Sequence, residues 1–275
     1  MSETKRMAVA GVAGRMGRQL VRAVIEAGHE IAGGTEIPES PHRDTDIARL
    51  AGFGQSIGER PVTDPVQAAT EAHVWIDFTA PVATLAALDG LKHSSVQAVV
   101  IGTTGFNARE EAQIAAASAN FAIVKAGNFS LGVNLLTAVT RIVAARLQAD
   151  WDIEILETHH RRKVDAPSGT ALMLGAAAAE GRGEKLETLQ RAPYDGNDAR
   201  RSEGEIGFAV RRAGGVVGEH DVLFASESEL VRLGHTALDR RVFADGAVAA
   251  ALWACRQPPG LYDMEDMLGL KGLSV

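Results

Sequence analysis

The feature that most constrains this chain is a glycine-rich turn close to its start. A short apolar run, Met7–Ala10, leads into Gly11-Val12-Ala13-Gly14-Arg15-Met16-Gly17, and apolar residues at helical spacing follow from Arg15 to Ala27. In a strand–turn–helix unit, glycines let the backbone approach a pyrophosphate, which the N–H groups and dipole of the helix start then stabilise. We therefore expect residues 11–17 to bind a dinucleotide. A tight turn without a ligand is the competing interpretation.

The residues after the second apolar run bear on which dinucleotide is bound. Glu36 ends the second predicted strand, 19 residues after Gly17, where a carboxylate would accept a hydrogen bond from an adenosine ribose hydroxyl. Ile37 follows at the position where a cation would hold a 2′-phosphate. The sequence therefore favours NADH over NADPH, although Arg15 or Arg43 could still reach a phosphate.

The first half of the chain alternates apolar runs with alanine-rich helical stretches, which predicts an α/β fold with a Rossmann-type, doubly wound parallel sheet. Two glycine-containing segments end predicted strands, and ligands bind at the carboxyl ends of such strands. They are Gly102, Thr103, Thr104 and Gly105, and Ala126, Gly127, Asn128 and Phe129. They could border the ribose and nicotinamide, and ordinary turn chemistry is the alternative.

The pattern changes after about Gly127. A long helical stretch leads into an alternating run, Trp151–Thr158, and three later runs are typical of antiparallel strands. These runs are Gly207–Val210, Val216–Phe224 and Glu229–Leu233. The last helix, Arg240–Cys255, returns to the alanine-rich composition of the first half. We therefore expect a dinucleotide-binding domain of residues 1–130 plus 241–275, with an inserted α+β domain, 131–240, for substrate binding and oligomerisation.

The inserted part contains a short basic segment followed by a proline-containing turn. His159-His160-Arg161-Arg162-Lys163 leads through Asp165-Ala166-Pro167 to Ser168-Gly169-Thr170, where a helix is predicted to begin with Ser168 as its N-cap. The N–H groups of Gly169 and Thr170 at the helix start favour a carboxylate. The segment predicts a pocket for a small dianion, with a histidine and a lysine available for proton transfer.

Three other interpretations of this basic segment compete with a substrate pocket. We expect no metal, because adjacent histidines lack the i, i+4 spacing of a helical pair and no cysteine lies nearby. A nucleic-acid patch is disfavoured because aromatic residues are not interleaved with the cations. A solvated charged loop is not excluded by the segment alone. Upstream, Glu154 and Glu157 fit the polar face of a strand, although either could orient a catalytic histidine.

Charge and composition exclude several classes of protein. The 275 residues include 28 Lys plus Arg and 35 Asp plus Glu, a net charge of −7 that argues against a general nucleic-acid binder. The single cysteine, Cys255, fits a reducing compartment. Residues 1–7 are polar, and the longest apolar stretch, Ala247–Cys255, is far shorter than the ~20 residues of a membrane helix. We therefore expect a cytoplasmic protein that does not associate with membranes.

The motifs together resemble those of the 4-hydroxy-tetrahydrodipicolinate reductase (dihydrodipicolinate reductase) family of the diaminopimelate and lysine pathway. The resemblance runs nearly end to end, and the HHxxKxDxPSGTA pattern is its most specific part. It is carried by GVAGRMG (11–17), IDFT (76–79), GTTG (102–105), GNFSLGVN (127–134), ETHHRRKVDAPSGTA (157–171), RRAGGVVGEHDVLF (211–224) and GHTALDRRVFADGAVAAALW (234–253). It implies NAD(P)H-dependent reduction of 4-hydroxy-tetrahydrodipicolinate to tetrahydrodipicolinate.

The resemblance also implies roles for individual residues. His159 resembles the family's proton donor or acceptor and Lys163 its second proton donor. His160 resembles a contact to one substrate carboxylate, and Gly169 with Thr170 a clamp on the other. The glycine-rich turn, Glu36, residues 102–104 and residues 126–129 match dinucleotide contacts, and Arg240 matches an arginine close to the cofactor. Members are typically homotetramers assembled through the sheet of the inserted domain.

The sequence departs from the common family pattern at three positions. Ala13 occupies a site often held by glycine, Ile37 replaces an arginine that favours NADPH in some members, and Gly127 replaces alanine or proline. Two competing hypotheses are a nucleotide-sensing scaffold and a reductase for a different dianion. A scaffold has no need of the His159, Lys163 and Ser168–Thr170 set, and a panel of dicarboxylates separates the two reductases.

Overall fold

The computed structural model describes residues 3–147 and 149–272 of the chain. The described residues form two compact units, one of residues 3–130 with 241–267 and the other of residues 131–240 with 268–272. Residues 1, 2, 148 and 273–275, which fall within the predicted domains, lie outside the described residues. Over the described ranges, every helix is too short or too polar to cross a membrane.

The two units contain the following strands and helices in chain order. Up to residue 130 these are β1 (Arg6–Val9), α1 (Arg15–Glu26), β2 (Glu30–Gly34), α2 (Ile47–Leu50), α3 (Pro65–Ala68), β3 (Val74–Asp77), α4 (Pro81–Gly90), β4 (Ala98–Ile101), α5 (Ala108–Ala117) and β5 (Ala122–Lys125). From 131 they are α6 (Leu131–Arg146), β6 (Asp152–His159), α7 (Gly169–Gly181), α8 (Leu186–Leu189), β7 (Ile206–Arg212), β8 (Gly218–Ala225), β9 (Leu230–Ala237), α9 (Arg241–Ala254), β10 (Gly260–Tyr262) and α10 (Met264–Leu268).

The first unit is built on a parallel sheet with the strand order β10-β5-β4-β3-β1-β2. Successive strand residues point to opposite faces, so Val74 and Ile76 pack with α1 and α9 whereas Trp75 packs with α4 and α5. Burial on both faces explains the continuous apolar runs in the sequence. The strand order reverses between β1 and β3, which is where ligands bind in sheets of this kind. The predicted Rossmann-type architecture is confirmed.

The second unit is built on a mixed sheet with the order β7-β6-β8-β9, and α6 and α7 cover one of its faces. β8 pairs antiparallel with β9, as predicted, and also with β6, but β7 pairs parallel with β6. The prediction of antiparallel pairing for residues 207–210 was therefore wrong. The physical reason is the intervening helix α7, because a helical crossover between paired strands makes them parallel.

Candidate active site

The glycine-rich turn follows β1 and ends on the first turn of α1. Gly11 has a φ of +63°, which glycine adopts without strain, and a Cβ on Gly17 would lie 2.1 Å from the Gly11 carbonyl oxygen. The helix therefore begins in direct contact with the turn. Gly14 is its N-cap and has no side chain to occupy the first N–H groups of α1. These groups suit an anion, as predicted for a pyrophosphate.

The other residues of the turn are held by contacts that the sequence did not indicate. Val12 is buried, Arg15 is exposed, and Ala13 and Met16 pack partly buried against the core of the unit. The Arg18 side chain donates from Nε to the Ala13 carbonyl oxygen at 2.9 Å. The turn is thus fixed from the helix side, while Arg15 stays accessible to a ligand.

An acidic and an apolar side chain follow β2. Glu36 is partly exposed, and its carboxylate accepts a hydrogen bond from the Ser40 hydroxyl at 3.0 Å. Ile37 is 64% exposed. Arg43 is exposed and its Nη1 lies 3.5 Å from the Pro38 carbonyl oxygen. The end of β2 therefore offers a hydrogen-bond acceptor next to an exposed apolar side chain.

A buried polar network supports the loops after β3 and β4. The Asp77 carboxylate, 1% exposed, accepts from the Thr79 hydroxyl at 2.6 Å and from the Thr103 hydroxyl at 3.2 Å. The Thr103 oxygen in turn accepts from the Thr79 N–H at 2.9 Å and from the Thr84 hydroxyl at 3.0 Å. The Thr103 side chain is therefore engaged inside the protein, which leaves its backbone for a ligand, whereas Thr104 is exposed.

Two close approaches shape the same carboxyl edge of the sheet. A Cβ on Gly102 would lie 2.1 Å from a ring carbon of Phe78, and a Cβ on Gly246 would lie 1.7 Å from the Phe129 carbonyl oxygen. The Phe129 ring is buried and packs on Phe78, with 5.2 Å between centroids, so it belongs to the core. The predicted contact residues before it are at least partly exposed: Ala126, Gly127 and Asn128.

In the second unit, the side chains on the sheet face covered by α6 and α7 are apolar at one end of the strands and ionisable at the other. Ile153 and Ile155 of β6 lie in the core, and the next residues on the same face are Glu157 and His159. The pairing register sets His220 of β8 opposite Glu157. It also sets Arg212 of β7 beside His159. Ionisable side chains from three strands thus gather at one end of this face.

Glu157 and His159 form the centre of this group. Glu157 Oε2 lies 2.6 Å from His159 Nδ1, and their side chains are 1% and 10% exposed. Burial alone would raise the pKa of Glu157, but the interactions with Ser168 and the charges of His159 and Arg212 outweigh burial and hold that pKa below its usual range. Burial also lowers the pKa of His159, and the cations Lys163 and Arg212 add to this effect against the carboxylate. At neutral pH the pair is a carboxylate beside a neutral imidazole.

His220 and Ser168 extend the group to the start of α7. The Ser168 hydroxyl lies 3.1 Å from His220 Nε2 and accepts from the Ala171 N–H at 3.1 Å, as the predicted N-cap. The imidazoles of His159 and His220 meet edge to face, with 5.1 Å between centroids. Burial is the main cause that lowers the pKa of His220 to about 4, with nearby His159 adding to it. His220 is therefore neutral at pH 7.

Arg212 ties the basic segment to the sheet. Its guanidinium lies 3.4 Å from Glu157 Oε1 and donates to the carbonyl oxygens of Lys163 and Asp165. Lys163 Nζ pairs with Asp165 Oδ2 at 2.9 Å. The segment is therefore folded against the site at Lys163, while Arg161 and Arg162 are exposed.

The remaining predicted substrate contacts lie close in sequence to these groups. His160 Nε2 is 3.0 Å from Arg240 Nη2. Arg240, which was predicted to lie close to the cofactor, therefore contacts the predicted substrate-binding residue His160 within the second unit. Partial burial, together with the cations Arg240, Arg162 and Lys163, lowers the pKa of His160. At the start of α7, Gly169 is exposed and Thr170 partly exposed.

Glu157, His159 and His220 also have the composition of a metal-ligand set, with donor atoms within 4.8 Å of one another. Two ligands of a tetrahedral zinc ion, each bound at about 2.0–2.1 Å, lie about 3.3 Å apart. The 2.6 Å between Glu157 Oε2 and His159 Nδ1 is instead a hydrogen-bonding distance. The arrangement fits a proton-sharing pair better than an ion site.

Only part of this group was identified from the sequence. His159 and Lys163 were predicted, and Glu157 was left as one of two alternatives. His220, Arg212 and the Asp77–Thr103 network were missed. The alternation of β6 already places Glu157 on the face of the buried Ile153 and Ile155, whereas His220 and Arg212 follow only from strand pairing.

Comparison with known proteins gives consistent matches over the whole chain. Residues 5–129 match the family described as dihydrodipicolinate reductase, N-terminus, and residues 132–268 match dihydrodipicolinate reductase, C-terminus. The 4-hydroxy-tetrahydrodipicolinate reductase of Sinorhizobium fredii is 53% identical over 274 residues. That of Parvibaculum lavamentivorans is 49% identical over 272 residues. Both alignments cover 98% of this chain and 100% of the relative.

Solved structures show the same fold at lower identity. A dipicolinate-bound dihydrodipicolinate reductase from Paenisporosarcina sp. TG-14 has a TM-score of 0.75 at 24% identity, covering 95% of this chain and 98% of its own. An amine dehydrogenase from Mycobacterium smegmatis has a TM-score of 0.66 at 13% identity, covering 96% of each chain. At these identities the likeness concerns the fold.

Proposed function

The chain belongs to the dihydrodipicolinate reductase family and is an NAD(P)H-dependent oxidoreductase that reduces 4-hydroxy-tetrahydrodipicolinate, and we propose that its second unit binds this dicarboxylate and supplies the proton. The observation that carries the proposal is the buried Glu157–His159 pair, with Lys163 and Arg212 beside it. A proton-transfer group among cations suits a dianionic substrate.

The first unit holds the dinucleotide in this proposal. When bound, the reduced nicotinamide supplies the hydride. The N–H groups at the start of α1 bind the pyrophosphate, and Glu36 accepts from a ribose hydroxyl. The close contact of Gly17 with the turn and the bare N-cap Gly14 support this assignment. Residues 102–104 and 126–128 border the remainder of the dinucleotide with backbone groups and small side chains, and the buried Phe129 supports them from the core.

NADH is the proposed preferred cofactor. The exposed Ile37 side chain next to Glu36 supports this preference, because a 2′-phosphate would meet an apolar group and a nearby carboxylate rather than a cation. The dissociation constants of NADH and NADPH, measured by calorimetry, test it. A lower dissociation constant for NADPH would contradict it.

The second unit binds the two carboxylates and moves the proton. The N–H groups of Gly169 and Thr170 hold one carboxylate, and His160, held by Arg240, contacts the other. His159 is neutral in the free protein, and a bound dianion next to it favours its protonated form. Overall the substrate gains one hydride and one proton and loses its 4-hydroxyl, with one ring hydrogen, as water. Protonated His159 gives that one proton, and Lys163 is the second group able to give it once it leaves Asp165.

The proposal includes a homotetramer assembled through the sheet of the second unit, in the cytoplasm. The face opposite α6 and α7 supports the assembly, because it carries Leu156 and Leu223 with the exposed Leu230. The single cysteine, Cys255, is consistent with a reducing compartment. Sedimentation velocity is expected to give the mass of four chains, and a monomer at assay concentrations would contradict the assembly.

A panel of small dicarboxylates tests the substrate. Oxidation of NADH is followed with 4-hydroxy-tetrahydrodipicolinate generated in situ and with other cyclic and linear dicarboxylates. We expect oxidation only with the first, and competitive inhibition by dipicolinate. Turnover of another dianion with higher kcat/KM would support a reductase of different specificity. Binding of NADH without turnover of any dicarboxylate would support the scaffold hypothesis.

A further inference from the structure

The contacts of the two Glu157 carboxylate oxygens indicate which nitrogen of His159 carries the proton. Oε1 accepts the Ser168 N–H at 2.9 Å and lies 3.4 Å from Arg212, while Oε2 lies 2.6 Å from His159 Nδ1. We propose that Glu157 is a positioning residue that keeps the proton of His159 on Nδ1 and presents Nε2 to the substrate. This inference rests on the proposed function and deepens it.

The short contact itself requires a proton between the two atoms. A carboxylate oxygen and an imidazole nitrogen that both carry lone pairs repel each other at 2.6 Å, so Nδ1 must be the donor. Both atoms are buried, and among the described residues neither makes a hydrogen bond of good angular geometry, so their 2.6 Å contact is the nearest means of satisfying both. A buried donor and a buried acceptor at this distance are strongly favoured to satisfy each other.

Glu157 is fixed in place from two other elements. The Ser168 N–H at the start of α7 and the Arg212 guanidinium of β7 both hold Oε1. The side chain is 1% exposed, so rotation away from these partners would leave a buried charge unpaired. Glu157 is therefore the fixed member of the pair, and it sets the orientation of the His159 imidazole.

Gly218 lies beside the other nitrogen of the His159 imidazole, Nε2. A Cβ at this position of β8 would lie 3.1 Å from His159 Nε2 and 3.5 Å from its Cδ2. The distance to Nε2 is tighter than ordinary van der Waals contact, whereas the distance to Cδ2 is ordinary. The glycine thus keeps space open beside the nitrogen that is assigned to the substrate, while Glu157 occupies the other nitrogen.

The proton balance follows from this assignment. Protonated His159 carries hydrogens on both nitrogens, and the Nε2 proton goes to the substrate. The imidazole that remains has its hydrogen on Nδ1, which is the resting form that Glu157 holds. Charged or titratable groups face His159 from each neighbouring element: Glu157 on β6, Lys163 on the following loop, Arg212 on β7 and His220 on β8.

The test begins on the wild-type protein without ligand. Nitrogen-15 NMR of the histidine side chains at pH 7.5 is expected to show His159 as the Nδ1–H tautomer. A dominant Nε2–H tautomer would overturn the proposal without any variant having to fold. This measurement does not depend on turnover, so an inactive wild-type enzyme would count against the proposed function and leave the tautomer result intact.

Glu157→Gln provides the kinetic test. We expect kcat to fall about a hundredfold, within the range that general acid–base catalysis contributes, with KM changed less than about threefold. Loss of the carboxylate also removes the charge that favours protonated His159, so the fall of kcat at high pH shifts to lower pH. Glu157→Asp should recover part of kcat. Wild-type kcat and pH profile in Glu157→Gln would overturn the proposal.

Two variants separate positioning from general structural effects. Glu154→Gln changes a carboxylate of the same strand that pairs with Arg201 instead of His159, and it is expected to keep wild-type kcat. Gly218→Ala is expected to lower kcat at least tenfold while the Nδ1–H tautomer persists. An unchanged kcat in Gly218→Ala would contradict the assignment of Nε2 to the substrate.

Discussion

Replacing His220 with glutamine tests the electrostatics of the buried site by a stability measurement. The pKa of His220 is lowered from 6.5 to about 4. A shift of about 2.5 units corresponds to about 3.4 kcal/mol between the protonation states. Because the unfolded chain binds this proton more tightly, the contribution is fully present above pH 6.5 and is lost as the pH falls towards 4. The variant has no such group to titrate.

The free energies of unfolding of the wild type and His220→Gln are compared at two pH values. Between pH 7 and pH 4.5, the free energy of unfolding of the wild type is expected to fall by about 2 kcal/mol more than that of His220→Gln, an excess that linkage assigns to this one imidazole. Urea unfolding followed by circular dichroism and tryptophan fluorescence gives these values. His93→Gln, a change at an exposed imidazole of the first unit, is the control and should follow the wild type. An equal loss in the wild type and His220→Gln would refute the reasoning.

Three further changes test the dinucleotide site and the basic segment. Gly17→Ala sets a Cβ 2.1 Å from the Gly11 carbonyl oxygen, and calorimetry should show NADH binding weakened at least about tenfold. In Gly14→Ala the Cβ would lie 3.1 Å from the same oxygen, which a shift of a few tenths of an ångström relieves, so NADH binding should weaken less than about threefold. Equal effects of the two changes would contradict the steric argument. Ile37→Arg should strengthen NADPH binding about tenfold by adding a phosphate ligand at an exposed position, and unchanged NADPH affinity would contradict that role. Asp165→Asn frees Lys163 from its partner and should lower KM for the dianion about twofold, while a raised KM would show that the pair holds Lys163 in place.

The elements that could be predicted are those whose signal is local. The inner strands of the first unit, β1, β3, β4 and β5, are buried on both faces, so they stand out as apolar runs, and glycines mark the turn into α1. β10 was missed because Gly260–Tyr262 is short and only partly buried. The direction of β7 was wrong because direction depends on the path of the chain through α7, which no pattern within β7 encodes.

The candidate site was predictable in part for the same reason. His159 and Lys163 lie in one contiguous motif, and their chemistry is visible from residue types alone. Arg212, Gly218 and His220 come from strands about 50 or more residues later, and only the pairing register brings them beside His159. All three lie in the segment 211–224 that contributes to the family resemblance, but no local pattern in that segment assigned any of them to the site.

The most direct test of the central claim is a steady-state comparison of His159→Gln with the wild type, with 4-hydroxy-tetrahydrodipicolinate generated in situ and NADH saturating. We expect kcat to fall about a hundredfold or more while KM changes less than about threefold, because His159 gives its proton to the bound substrate. The dissociation constant of NADH should stay the same. A variant that keeps wild-type kcat, or that loses only substrate affinity, would contradict the assignment of His159 as the proton donor.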